Sequence, residues 1–444
     1  MNRRSFVRCA SLAAAGNIAG LRPFGMLNAM AQGTTDYKAL VCIFLYGGND
    51  ANNMLVPFDT QGYAKYSSLR GPLALPQNQL LQMGALPDYA LHPSLSDLVP
   101  LVNSGAMALV ANVGTLVAPL TRATYLSNGS KPSNLFSHPD QQQEWQNAAV
   151  SGATPTGWAG RISDALSPVY NPGATIPLIT SVAGDTLFCN GASTSPVAVS
   201  PGNVGGASCS ESGAVCTTRS NAAQAMLTFN SGVSLVQADD DITSNAYKYA
   251  KVLSDATQSL PALQTVFPAG GLGAQLKQVA QIIQARSAFG VKRQIFFCGI
   301  GNFDTHAGQL AIQATLLSGI GPAIAAFYQA TQELGVTNNV TSFTMSDFSR
   351  TLQPNSNSGS DHGWGSHHFV LGGSVHGGAL YGTYPTLAFG GPDDSGSNGR
   401  WIPSTASVQY ASTLAQWFGV SQAQLATVFP TLSAFSTQKL GFMG

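Results

Sequence analysis

Charge is scarce in this chain. Only 9% of its 444 residues are Asp, Glu, Lys or Arg, against roughly 25% in ordinary soluble domains, and the 20 basic and 20 acidic residues cancel. A nucleic-acid binder needs a cationic face, so that class is excluded. Cysteine is rare too, six in all, with no Cys-x-x-Cys and no Cys/His finger spacing, which excludes a structural zinc module. No Gly-x-Ser-x-Gly elbow is present, so an ordinary serine hydrolase is disfavoured. After Gly299-Ile300-Gly301, Asp304 stands where a dinucleotide fingerprint needs its third glycine, which disfavours a nicotinamide site. No run beyond the amino terminus reaches the 18 or so apolar residues of a membrane span, and no fixed-period repeat announces a solenoid or propeller. What is present is 44% hydrophobic residues beside Ser, Thr, Asn, Gln and Gly. Such a chain folds rather than staying disordered, and it is long enough to bury a large core without disulfide staples.

Arg3-Arg4-Ser5-Phe6 followed by a weakly hydrophobic stretch from Ala10 to Leu21 is the pattern of a twin-arginine signal. Ala29-Met30-Ala31 offers a cleavage site, so residues 1–31 read as a signal peptide and 32–444 as the mature chain. Its loss removes four arginines and no carboxylate, leaving a net charge of −4. The expected partner at that stage is the twin-arginine translocase, the expected location periplasmic or secreted, with no stable membrane span. Among the cysteines, Cys209 and Cys216 flank a Ser/Gly loop and could pair in an oxidising compartment. Cys42 and Cys298 lie in apolar runs and read as buried, inert thiols.

Short apolar runs at Leu40–Tyr46, Ala106–Ala111, Gln294–Cys298 and Val340–Met345 read as buried strands. Helical periods intervene at Leu272, Leu276, Val279 and Ile283, then at Ile312, Leu316, Ile320, Ile324 and Phe327 with a kink expected at Pro322. Another closes the chain over Ser407–Phe418. Strands alternating with helices define an α/β domain, a doubly wound, mostly parallel sheet with helices on both faces. Residues 186–240, rich in Ser, Gly, Asn and Thr, are expected to form a loop-rich insertion.

Open α/β sheets bind ligands beyond the carboxyl ends of their strands, and polar residues gather at those places. Asp50 follows the first strand, Asp304 and His306 follow the strand at Gln294, and Asp347 with Arg350 follows the strand at Val340. Asp361 to His376 concentrates four of the seven histidines, His362, His367, His368 and His376. Imidazole mixed with carboxylate suits zinc, manganese or iron, whereas carboxylate alone suits magnesium or calcium. Isolated His92 reads as structural, and His368 opens an apolar run. For a nucleophile, Ser137 precedes a helix-like stretch and could be activated by a metal or be a simple N-cap; Thr115 is a weaker rival. Arg350 is the best placed arginine to clamp an anionic group bidentately, with Arg122 and Arg161 reading as surface residues.

Phe44-Leu45-Tyr46-Gly47-Gly48-Asn49-Asp50, Ser137-His138, Thr156-Gly157-Trp158, Asp304-Thr305-His306, Ser346-Asp347-Phe348-Ser349-Arg350-Thr351, Asp361-His362-Gly363-Trp364-Gly365 and Gly399-Arg400 together resemble the bacterial family catalogued as domain of unknown function 1501. That family is similar in turn to the alkaline phosphatase and sulfatase superfamily. The resemblance implies an alkaline phosphatase-like fold carrying one or two divalent metal ions and hydrolysing phosphate or sulfate esters. It makes Asp50, Asp304, His306, Asp347, Asp361, His362 and His367 candidate ligands for zinc, manganese or magnesium, and Ser137 the candidate nucleophile. Two departures stand out. Phe348 follows Asp347 where the superfamily commonly has histidine, so one ligand must come from elsewhere or be absent. No Cys-x-Pro-x-Arg or Cys-x-Ser-x-Arg run can supply a formylglycine, which disfavours a sulfatase. The expectation is a metal-dependent hydrolase of phosphate or related anionic esters; the rival is a noncatalytic periplasmic protein that keeps the fold and binds a partner or cell-surface polymer.

Overall fold

The computed structural model describes residues 36–127, 129–149, 154–202 and 213–444. The expected signal peptide and Cys209 lie outside the described residues. Each apolar run becomes a strand of one nine-stranded sheet: β1 (Lys38–Leu45), β2 (Met107–Gly114), β5 (Arg293–Ile300) and β6 (Val340–Ser346) correspond to the four sequence runs. They are joined by β3 (Ile179–Ser181), β4 (Val197–Ala198), β9 (Ser366–Leu371), β10 (Leu380–Tyr381) and β11 (Thr405–Ala406). The spatial order is β10-β2-β9-β6-β1-β5-β3-β4, with β11 also on β2. Among the described residues of this sheet, only β9 runs antiparallel to its neighbours, β2 and β6; the other pairings are parallel.

Central strand β1 shows why its sequence is apolar at nearly every position. Ala39, Val41, Ile43 and Leu45 face one core, while Leu40, Cys42 and Phe44 face the other. A strand buried on both sides loses the usual polar alternation. Helices α5 (Gly271–Gln284) and α6 (Gln309–Glu333) cover the first face through Leu276, Val279, Ile320 and Phe327. Helices α2 (Trp158–Tyr170) and α7 (Ser407–Phe418) cover the second through Trp158, Ile162, Tyr410 and Leu414. The architecture is α/β and doubly wound.

Two sequence expectations are corrected. The segment expected to be loop-rich carries α3 (Ala214–Leu227) and the first part of α4 (Ser234–Gln258). Their helical period was obscured because few side chains meet the core: Met226, Phe229, Leu235 and Ile242 are exposed. Helix α6 is long and apolar enough by composition to cross a membrane, contrary to the reading that no later run qualifies. Its apolar face is occupied by the core, where Leu317, Ile320, Ile324 and Phe327 are buried.

Helix α1 (His138–Asn147) turns its inner side into a polar relay. Thr115 Oγ1 donates to Gln141 Oε1 at 2.6 Å, and Gln141 Nε2 donates to Glu144 Oε2 at 2.9 Å. Burial pushes the Glu144 carboxyl from 4.5 up to about 8, against hydrogen bonds from Gln141 and Thr115 that lower it. Between those two values the unfolded chain releases a proton that the folded chain keeps, so stability falls as pH rises through that window. Glu144→Gln, which mimics the protonated acid, should therefore flatten the decline in urea midpoint between about pH 4.5 and pH 8 seen for the wild type; an unchanged decline would refute the assignment.

Candidate metal centre

Parallel pairing dictates where the site forms. Leu45 lies opposite Ile300 on one side and Ser346 on the other, so the loops after β1, β5 and β6 leave the sheet side by side. Gly47 and Gly48 make their contact possible. Both have positive φ, 110° and 81°, and a Cβ would lie 2.5 Å from the Asp304 amide nitrogen at Gly47 and 2.5 Å from the Phe348 ring at Gly48. The hairpin β7 (Arg350–Pro354) and β8 (Ser360–His362) then sets Arg350 opposite His362.

Three imidazoles and one carboxylate meet there. His138 Nε2 is 3.1 Å from His362 Nε2, and His306 Nε2 is 3.0 Å from the same atom. Asp304 Oδ1 lies 2.9 Å from His306 Nε2 and 3.4 Å from His362 Nε2, and Asp304 Oδ2 lies 3.5 Å from His138 Nε2. Ligand atoms of His138, Asp304 and His362 lie within 4.8 Å of one another, close enough to hold a metal ion together, and His306 adjoins this group through His362 and Asp304.

The opposite ring nitrogens explain the orientation. Asp347 Oδ2 faces His138 Nδ1 at 2.7 Å, the Phe136 carbonyl faces His362 Nδ1 at 2.7 Å, and Asp361 Oδ1 faces His306 Nδ1 at 3.3 Å. The first two oxygens can only accept, so in neutral His138 and His362 rings Nδ1 carries the proton and Nε2 presents a lone pair inward; His306 has a carboxylate oxygen at each nitrogen, the nearer one at Nε2. Lone pairs about 3 Å apart repel unless a proton or cation lies between them. Phe348 closes one side, its ring 4.7 Å from His362 and 4.8 Å from His138. The other side is open: the side chains of Asp304 and His306 are 44% exposed.

Electrostatics separates the members. The hydrogen bond to Asp347 raises His138 above the ordinary histidine value, although burial opposes it. Burial lowers His362, and the neighbouring His138 and Arg350 lower it further. Burial would raise Asp304, but the Arg350 guanidinium and the imidazoles hold it below the usual carboxylate range. Three nitrogens and a carboxylate with an open face suit zinc, manganese or iron better than magnesium.

The expected residues divide into three groups. Asp304, His306 and His362 meet; Asp347 and Asp361 lie behind His138 and His306. Asp50 and His367 do not join them. Asp50 Oδ2 is buried in an ion pair with Arg70 and accepts from Gln309. His367 is fully buried, stacks on Tyr384 at 4.7 Å and accepts the Asn112 amide at Nδ1; burial lowers it to about 3. His138 was not among the expected ligands; its ring lies against Phe348. Its signal was the His138-Pro139 pair at the start of a helix. Ser137 Oγ donates to Asp140 Oδ2, and Thr115 is committed to Gln141. Arg350 donates through Nη1 to Asp304 at 2.8 Å and through Nη2 to the Ser360 carbonyl. Its guanidinium therefore fixes a carboxylate rather than reaching for a ligand.

Fold and cluster thus define an α/β protein with a histidine-rich candidate metal centre at the carboxyl edge of a largely parallel sheet. The sequence profile described as "Protein of unknown function (DUF1501)" matches residues 37–397, and the chain belongs to that family. Comparison with curated proteins gave no match. Similar solved structures include a protein in the alkaline phosphatase superfamily from Vibrio parahaemolyticus (10% identity, 86% of this chain and 67% of that one, TM-score 0.36). The lipoteichoic acid synthase LtaP from Listeria monocytogenes matches at 8% identity over 90% and 78% of the two chains, TM-score 0.33. The PsFucS1 sulfatase from Pseudoalteromonas sp. matches at 9% identity over 83% and 70%, TM-score 0.32.

Purified wild-type protein should hold divalent metal, and His362→Ala should abolish stoichiometric binding. Asp347→Asn, which leaves every ligand atom in place, should weaken affinity about 10- to 100-fold in competition with a chromogenic chelator. Equal affinity in the Asp347 variant would remove its orienting role.

Proposed function

We propose that the protein is an exported, metal-dependent hydrolase of phosphate or related anionic esters. The observation that carries this reading is the convergence of His138, His306 and His362 through their Nε2 atoms on Asp304, with the opposite nitrogens held by oxygen acceptors. His138, His306, His362 and Asp304 would hold a divalent ion, which would supply Lewis acidity toward an ester oxygen and lower the pKa of a water or hydroxyl. The chain's own groups supply position and charge. Asp347 and the Phe136 carbonyl fix the tautomers of His138 and His362. Arg350 keeps Asp304 ionised and aimed. Phe348 keeps water off the inner side of the rings, and the exposed edge at Asp304 and His306 admits a substrate.

Zinc or manganese fits this donor set best. The Ser137 hydroxyl donates to Asp140 rather than to any member of the imidazole cluster, and we assign the attack to water. Phenyl phosphate, a bis-aryl phosphodiester and an aryl sulfate, offered to the metal-loaded protein, should show turnover of at least one phosphate ester that chelation abolishes. Ser137→Ala should leave that rate within about threefold, whereas loss of about 100-fold or more with unchanged metal content would make Ser137 the nucleophile. Absence of metal-dependent turnover on all three would favour the noncatalytic binding protein.

Export is supported by Arg3-Arg4 and Ala29-Met30-Ala31. Replacing both arginines by lysine should leave the chain in the cytoplasm with its first 31 residues uncleaved, as read by fractionation and amino-terminal sequencing; unchanged export would refute the twin-arginine route.

A further inference from the structure

The anion-clamping role expected of Arg350 is not open to it, because both its Nη groups are bonded within the protein. Arg70 is used up in the same way, by Asp50 and the carbonyls of Thr351 and Leu352. Arg400 differs. Its Nε donates to the His362 carbonyl at 2.8 Å, and its guanidinium lies 4.2 Å from the centre of the Phe136 ring. Phe136 in turn holds His362 through its carbonyl and is two residues before His138. The guanidinium therefore sits against the backbone of His362 and the ring of Phe136, two residues along the chain from His138. Among the described residues its Nη1 and Nη2 have no hydrogen-bond partner and no carboxylate pairs with it.

The backbone holding Arg400 is unusually well fixed. The buried Asp394 carboxylate accepts the amides of Gly390, Gly396, Gly399 and Arg400 at 3.0 to 3.1 Å. Arg122 ties the same loop from outside, donating to the carbonyls of Asp394 and Gly396. Gly399 has φ of 75°, and a Cβ there would lie 2.5 Å from Leu352 Cβ, so the residue before Arg400 is locked against the β7 strand. A half-buried cation with its stem pinned, its face on an aromatic ring and two donor groups spare is preorganised for an oxyanion.

We propose that Arg400 is the specificity-determining residue of this centre, gripping the charged oxygens of an anionic ester through its free Nη groups. This rests on the hydrolase reading, but its test does not depend on turnover. Wild type, Arg400→Ala and Arg400→Lys would each be assayed for metal content, thermal midpoint and inorganic phosphate binding by calorimetry. The expected result is unchanged metal content and midpoint, with the phosphate Kd raised at least about tenfold in Arg400→Ala and less in Arg400→Lys, in line with the strength of charge-assisted hydrogen bonds. For a turned-over ester the same loss should appear mainly in KM. Equal phosphate affinity in wild type and Arg400→Ala overturns the proposal, as does a wild type that binds no phosphate, or loss of metal in Arg400→Ala, which would make Arg400 only a prop for His362. Phosphate binding lost in Arg400→Ala from a wild type that holds no metal would keep the anion site and sink the hydrolase reading instead.

Discussion

Everything at the candidate centre depends on what lies behind the imidazoles. An isolated histidine can turn its ring or exchange its proton between nitrogens, and three of them would then share no preferred focus. Here a carboxylate at the end of β6 and a backbone carbonyl accept from the Nδ1 atoms of His138 and His362, and a second carboxylate lies 3.3 Å from His306 Nδ1. The Nε2 atoms are left crowded together, an arrangement unfavourable by itself and favourable around a cation. Asp347 is the central member, since it also accepts the Gln142 side-chain amide at 2.8 Å and the Gly47 amide at 3.2 Å. It thereby joins the helix bearing His138 to the ends of two parallel strands.

Much of this was legible in the sequence, and the reasons are local. The runs at Leu40, Gln294 and Val340 could be read as strands because a strand buried on both faces has no polar alternation to hide it. Once those strands are parallel neighbours, Asp304, His306 and Asp347 must emerge together. Strand parity is less forgiving. His367 is the second residue of β9, where its ring is stacked on Tyr384 inside the fold, and proximity to His362 in the chain disguised that. Asp50 was misleading for another reason: its partner Arg70 is at the end of a helix spanning Thr60–Arg70, and no spacing rule announces a buried ion pair between them. His138 carries no ligand spacing in the sequence, because it opens a helix directly after Ser137 and is 224 residues from His362.

The arginines carry the same lesson about roles. Sequence position placed Arg350 at the right strand end, yet a guanidinium buried beside a carboxylate is worth more as a fixed counter-charge than as a free hand. Arg400, distant in the chain and on an irregular loop, has both Nη groups without a hydrogen-bond partner among the described residues. Loop residues fixed by a carboxylate such as Asp394 are invisible to periodicity, because the information lies in amides, not in side-chain pattern.

The converging histidines are separated by 224 residues between His138 and His362 and by 56 between His306 and His362. An ion grasped by all of them would act as a buckle across about half of the chain, closing long loops that the unfolded chain would otherwise leave open. Ion occupancy and resistance to unfolding would then be two readings of one equilibrium.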